Sequence, residues 1–206
     1  MPIVTHEDEI ELAKLDVEVA QIFTKLAHKI DSLGSQENKL GEMYQSYGKD
    51  LQLYLRKLRD KSKQMDVLAR EEHSGVDSSE VTEVKKTIHD VDDQIKMIEG
   101  FYDRLKDLAL QKKGLTKKMQ EYSKLIVDNA KIRKKIVMLG LKIEKAKNKM
   151  VAAESISSDE DKMKDIEREF ERSKKELAKK WEQILDERSE VNEAWKGLKE
   201  SIDEFE

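Results

Sequence analysis

The stretch Ser79–Ala153, SEVTEVKKTIHDVDDQIKMIEGFYDRLKDLALQKKGLTKKMQEYSKLIVDNAKIRKKIVMLGLKIEKAKNKMVAA, runs for 75 residues without a proline and with only three glycines. Apolar residues recur in it at alternating gaps of three and four: Val81, Val84, Ile88, Val91, Ile95, Ile98, Tyr102, Leu105. After a looser patch the same beat returns at Leu115, Met119, Tyr122, Ile126, and again at Ile132, Ile136, Leu139, Ile143, Ala146, Met150. This is the period of a helix that buries one stripe. A single helix of that length would reach about 110 Å at 1.5 Å per residue. It is too long for a ball-shaped domain and predicts the spine of an elongated bundle.

The rest of the chain fits around that spine. The pattern Thr5-His6-Glu7-Asp8 has the form of a helix N-cap, and Val4 before it could staple onto the first turn. A first helix is predicted over about 6–72. One of its heptad phases holds Leu12, Val19, Leu26, Leu33, Leu40, Tyr47 and Tyr54. The next holds Ala13, Ala20, Ala27, Gly34, Gly41 and Gly48. Each helix-interior glycine costs about 1 kcal/mol relative to alanine, so the small phase predicts a groove where another backbone comes close. His73-Ser74-Gly75-Val76-Asp77-Ser78 reads as a turn, with a capping box at Asp77–Glu80 opening a second helix over about 79–154. Ser155-Ile156-Ser157-Ser158-Asp159 reads as a second turn. Ser158 with Asp161, or Ser157 with Glu160, would cap a third helix over about 158–205. That helix keeps the beat through Met163, Ile166, Phe170, Leu177, Trp181, Ile184, Val191, Trp195, Leu198, Ile202 and Phe205. Three helices joined by short turns run antiparallel. The fold class expected is all-α, an elongated antiparallel three-helix bundle forming a single domain over 1–206.

Composition narrows the function classes. Charged residues are 41% of the chain, the apolar set 37% and aromatics 5%, too polar for a broad core but in phase for a narrow seam. Cysteine is absent, so there is no disulfide framework, and a reducing compartment is expected. No apolar run approaches a membrane span or a signal peptide, which predicts a cytoplasmic or peripherally membrane-associated protein. The four histidines lack partners at metal-ligand spacing, no glycine-rich phosphate loop is present, and no nucleophile or base is positioned. No enzymatic activity, metal or cofactor is expected. Trp181 and Trp195 lie in the apolar phase of the third helix and are expected to pack in the core or a dimer interface. The eight methionines are expected as core fillers.

The net charge of −4 conceals a segregation. Residues 100–150 carry +10, whereas residues 1–99 and 151–206 carry −7 each. Lys113, Lys117, Lys124, Lys131, Lys135, Lys142, Lys145 and Lys149 keep heptad-compatible gaps and are expected on one flank of the second helix, beside its apolar seam. Arg133, Lys134 and Lys147 thicken the row. The returning third helix brings Arg172, Lys174, Lys175, Lys179 and Lys180 alongside. Only Glu121, Asp128 and Glu144 interrupt the tract between Lys112 and Lys149. Each such cation near an anionic bilayer is worth about 1 kcal/mol, so Lys113 through Lys149 with Lys174 and Lys175 form a candidate lipid-binding surface. The alternative for the same row is a solvated face paired to neighbouring glutamates. Nucleic acid is disfavoured as a partner, because the remainder of the chain is acidic and no recognition motif accompanies the lysines.

Two stretches carry a family resemblance. In the first helix, residues 36–51 (QENKLGEMYQSYGKDL) place a leucine before an aromatic–glycine pair and a further leucine. In the third, residues 165–173 (DIEREFERS) lead on to Trp181-Glu182. Both resemble the BAR domain of the sorting-nexin type, and the resemblance spans nearly the whole chain. It implies a crescent-shaped homodimer with a six-helix centre, whose basic arms face curved, negatively charged membrane, together with possible trafficking-protein partners. Residues 1–5 are too few for the amphipathic insertion helix of one BAR subclass, and the phosphoinositide-binding domain of sorting nexins has no counterpart here. A stand-alone protein and a module of a larger one both stay open. The third helix is expected to stop short of Val81–Leu105, leaving that stripe for a second subunit to cover. Val84, Ile88, Val91, Ile95, Ile98, Trp195 and Leu198 are therefore candidate dimer-interface residues. The competing expectation is a cytoskeletal or tethering scaffold whose rod binds proteins rather than lipid.

Overall fold

A computed structural model describes residues 6–70, 78–149 and 153–203. Among these the chain consists of three α-helices and no strand: α1 (His6–Leu68), α2 (Ser78–Asn148) and α3 (Ala153–Asp203). The expected Thr5 cap, Val4 staple, turn at 73–77 and apolar Phe205 lie outside the described residues.

Helix boundaries differ from expectation at both junctions, by a few residues at the first, where α1 ends at Leu68 rather than about 72, and by more at the second. α2 ends at Asn148 rather than near 154, and Ser155–Asp159 are helical rather than a turn, so Ser157 and Ser158 lie inside α3 instead of capping it. The serine-rich segment has neither glycine nor proline to stop a helix. Asp159 and Glu160 also tie it to α2: Lys142 reaches Asp159 at 2.7 Å and Lys147 reaches Glu160 at 2.7 Å.

The contacts divide the chain into two compact units. Unit 1 comprises residues 1–32 and 112–190. Within it α1 and α2 are antiparallel, as Thr116 donates to the Ala27 carbonyl, Ser123 to that of Ala20, and Arg133 to Glu9. α2 and α3 are antiparallel too, through Glu121–Lys180, Asn129–Ser173 and Lys142–Asp159. The expected small-residue groove forms here: Ala13, Ala20 and Ala27 are at most 1% exposed. Without large side chains in the way, α2 approaches closely enough for its hydroxyls to reach carbonyls of α1. At Ala20 the carbonyl lies 2.8 Å from Ser123 Oγ and 3.0 Å from Thr24 Oγ1, and the two hydroxyls are 2.8 Å apart. Phe23, Tyr122 and Trp181, one from each helix, meet edge to face or tilted, with centroids 5.2 to 6.0 Å apart.

Unit 2 comprises residues 33–111 and 191–206. The groove of α1 continues in it with glycine. Tyr102 and Leu105 close over Gly41, and Ile98 over Gly48, so tightly that an added Cβ would stand 3.3 Å from Tyr102 or Ile98. The same heptad phase then changes to a large residue, Leu55, which packs with Val91 and Ile95. Phe101, Leu105 and Leu108 of α2 form a second cluster with Leu198 of α3, edged by Tyr44, Val191 and Ala194. Arg104 donates to the carbonyl of Gly197 and fixes α3 there.

This arrangement corrects the expectation that the Val81–Leu105 stripe needs a second subunit for its cover. Val81, Val91, Ile95, Ile98 and Leu105 are buried within the chain. The glycines let α2 descend onto α1, and Leu51, Leu55 and Leu58 then fill the space over Ile88, Val91 and Ile95.

Candidate functional site

The basic face belongs to α2 in unit 1. The buried residues of α2, Ile132 apart, fall into three heptad phases, represented by Leu108–Leu115–Asn129, Thr116–Ser123–Ala130–Val137 and Met119–Ile126. Lys117, Lys124, Lys131 and Lys145 share one other phase, and Lys135, Lys142 and Lys149 another. At 100° per residue both lie opposite the buried side. The lysines are therefore placed on the outward face, not on a flank beside the seam, and all of them are exposed, as are Lys113, Lys134 and Lys147. The reason is that α2 is covered by α1 and α3 over adjoining sectors, which pushes its free face to the far side.

The predicted cations separate by role. Lys113, Lys124, Lys134, Lys135, Lys145, Lys149 and Lys175 make no side-chain hydrogen bond or ion pair among the described residues. Lys117 lies near enough to Glu121 to favour its ionised form. Lys131 pairs locally with Asp128 at 2.8 Å, and Lys174 with Glu171 at 2.8 Å while its Nζ sits 4.6 Å from the Phe170 centroid. Lys142 and Lys147 are committed to Asp159 and Glu160. Local i,i+3 pairs on an exposed helix are weak and exchange readily with other anions.

Arg133 is the exception. Its side chain is 19% exposed and points back at α1, 2.8 Å from Glu9 and 3.6 Å from Asp16, with its guanidinium 5.3 Å from the Phe170 centroid. It joins three helices of unit 1 and is placed away from the lysine face. Its position in the run KIRKK gave no sign of this, since periodicity distinguishes its phase from that of Lys134 by only one residue.

Two carboxylates respond to this network. The hydrogen bond from Lys142 holds Asp159 below the usual carboxylate range against the opposing effect of its burial, with Lys162 assisting. Lys180, 2.7 Å away, does the same for Glu121. Burial, with Asp16 nearby, pushes the Tyr122 phenol upward.

One residue of the face was not foreseen. Met138 is 71% exposed in the same phase as Lys131 and Lys145 and lies within one turn of Lys134, Lys135 and Lys142. It is not a core filler, nor is exposed Met43, whereas Met119 is buried. The signal for Met138 was present in the sequence, because the lysine phase runs 124, 131, 138, 145.

The candidate interface residues also separate. Val91, Ile95, Ile98 and Leu198 are buried among residues of their own chain, and Val84 and Ile88 are partly buried. Trp195 is half exposed in unit 2, and Trp181 is partly exposed at the edge of its aromatic cluster in unit 1. The large heptad phase of α1 shows the reverse of the small one. Leu12, Val19, Leu26, Leu33, Leu40, Tyr47 and Tyr54 are all between 42 and 53% exposed. Leu15, Ile22 and Met43, three residues after Leu12, Val19 and Leu40, are exposed as well. Together they make an a/d seam that the described helices leave about half exposed or more.

Among the described residues no group of three or more His, Asp or Glu stands where it could hold a metal ion, and no helix is long and apolar enough to cross a membrane. Comparison with protein-family models, curated proteins and solved structures finds no match.

Proposed function

We propose that this chain is a non-catalytic scaffold of the BAR type, which binds anionic, curved membrane through the lysine-lined outer face of α2 and works as a homodimer. The observation that carries the reading is the outward placement of the α2 lysines, most of them without a committed carboxylate partner, around the exposed Met138. Lysines opposite the buried face are free to meet a flat or curved anionic surface together, and about 1 kcal/mol per contacting cation gives a Kd of roughly 0.1 mM once five or six engage, and micromolar binding at about eight. An apolar side chain at their centre adds shallow insertion between headgroups. The exposed a/d seam of α1 supports the self-association part of the reading, since a chain of this polarity gains by covering it.

The test is sedimentation with phosphatidylserine vesicles against phosphatidylcholine vesicles at low salt. Binding to the anionic vesicles alone is expected, weakening as salt rises. The triple variant Lys131→Glu, Lys134→Glu, Lys135→Glu should abolish it, while Arg133 is left in place to preserve the fold. Absence of binding by the wild-type chain, or binding that ignores the triple variant, would leave a protein-binding scaffold as the better account.

A further inference from the structure

The exposed seam of α1 carries polar residues at three of its d positions, and their arrangement is self-complementary. In the order a, d, a, d the seam reads Leu26, Lys29, Leu33, Gln36, Leu40, Met43, Tyr47, Asp50, Tyr54. α1 is one uninterrupted helix over this span, and Lys29 and Asp50 are both exposed with no ion pair among the described residues. They are of opposite sign and equidistant from the Lys39–Leu40 peptide bond.

We infer that the occupant of this seam is a second copy of the chain, with the two α1 helices antiparallel about a two-fold axis within one turn of Lys39–Leu40, selected by reciprocal Lys29–Asp50 pairs. The inference rests on the self-association proposed above and specifies its orientation and register. A parallel pair would set d against d, and so Lys29 against Lys29 and Asp50 against Asp50. Like charges at the edge of an apolar seam disfavour that arrangement. In an antiparallel pair each a position meets a d position of the other helix. The two such registers whose axes flank Lys39–Leu40, one at Asn38 and one between Gly41 and Glu42, both bring Lys29 of one copy and Asp50 of the other to the same edge. They then lie three or four residues apart along the axis, about 5 Å at 1.5 Å per residue, within the reach of a lysine. Both registers set Leu33, Leu40 and Met43 near the centre, where Met43 of one copy meets Leu33 or Leu40 of the other. The two-fold makes the charge pair occur twice, as an isologous interface requires.

Charge reversal tests the register by sedimentation velocity without lipid. Wild type is expected to dimerise. Lys29→Asp places two aspartates at each contact and Asp50→Lys two lysines, so each variant alone should dissociate roughly tenfold or more readily. An equimolar mixture of the two should restore the wild-type dissociation constant, because each copy then offers the charge the other needs. The double variant Lys29→Asp, Asp50→Lys should also recover it. Helical circular dichroism serves as the control for folding, since both side chains are exposed. A wild-type chain that stays monomeric overturns the inference together with the self-association reading. A dimer unaffected by either single variant, or single variants that weaken it without rescue in the mixture, overturns the register and leaves self-association standing.

Discussion

Unit 1 and unit 2 bury the same heptad phase of α1 by different means. In unit 1 the phase is alanine, and the close approach it allows is used for hydroxyl-to-carbonyl bonds from Thr116 and Ser123. In unit 2 it is glycine and then leucine, and the approach is used to seat Tyr102, Ile98 and the Val91–Ile95 cluster. The surfaces differ as well. Unit 1 turns largely uncommitted lysines outward from α2, while unit 2 pairs cations across its helices, as in Arg59–Asp92 at 3.1 Å and Lys85–Asp66 at 2.9 Å. A single strict seven-residue repeat thus serves two kinds of packing, and what decides between them is the size of one residue per two turns.

The sharpest way to break the comparison is in the cores. Leu108 is fully buried in unit 2, and Leu108→Ala should cost about 2–5 kcal/mol in chemical denaturation. In unit 1 the vulnerable change is the opposite one. Ala20→Leu should cost about 1–3 kcal/mol by forcing α2 away from the Ala20 carbonyl, whereas Leu at an exposed position such as Lys14 should change little. If Ala20→Leu were neutral, the close approach would not be what holds unit 1.

Next in size is the division between Arg133 and its neighbour. Arg133→Ala should lower stability by about 1 kcal/mol after solvent screening, since Glu9 and Asp16 lose their shared cation. Lys134→Ala should leave the denaturation midpoint unchanged and weaken vesicle binding. The reverse pattern would exchange the structural and surface roles assigned to the two side chains.

The smallest effect is on pH dependence. Asp159 and Glu121 are held below their ordinary values of 3.8 and 4.5. Their contribution to stability is complete above those values and is lost as pH falls through the depressed ones. Lys142→Met removes the main cause of the Asp159 shift, so melting temperatures followed from pH 7 into the acid range should fall less steeply in the variant below about pH 4.

Much of this architecture was legible in the sequence. The three helices, their antiparallel sense within each unit and the small-residue groove follow from periods of three, four and seven. The second turn was misread because serine and aspartate signal both loops and helix starts, and the Lys142–Asp159 contact that holds the segment helical is not a local feature. The basic tract was visible as composition, but its outward direction depends on where α1 and α3 both lie against α2. The seam of α1 was visible as a leucine–tyrosine phase; which of two adjacent phases turns inward was settled by the close contacts that alanine and glycine permit.

The most direct measurement uses the absence of native cysteine. An environment-sensitive dye on Met138→Cys reports the centre of the lysine face alone. On phosphatidylserine vesicles its emission should shift to the blue, with no shift on phosphatidylcholine. An unchanged spectrum on phosphatidylserine, or equal shifts on both, would contradict the claim that this face of α2 meets an anionic membrane.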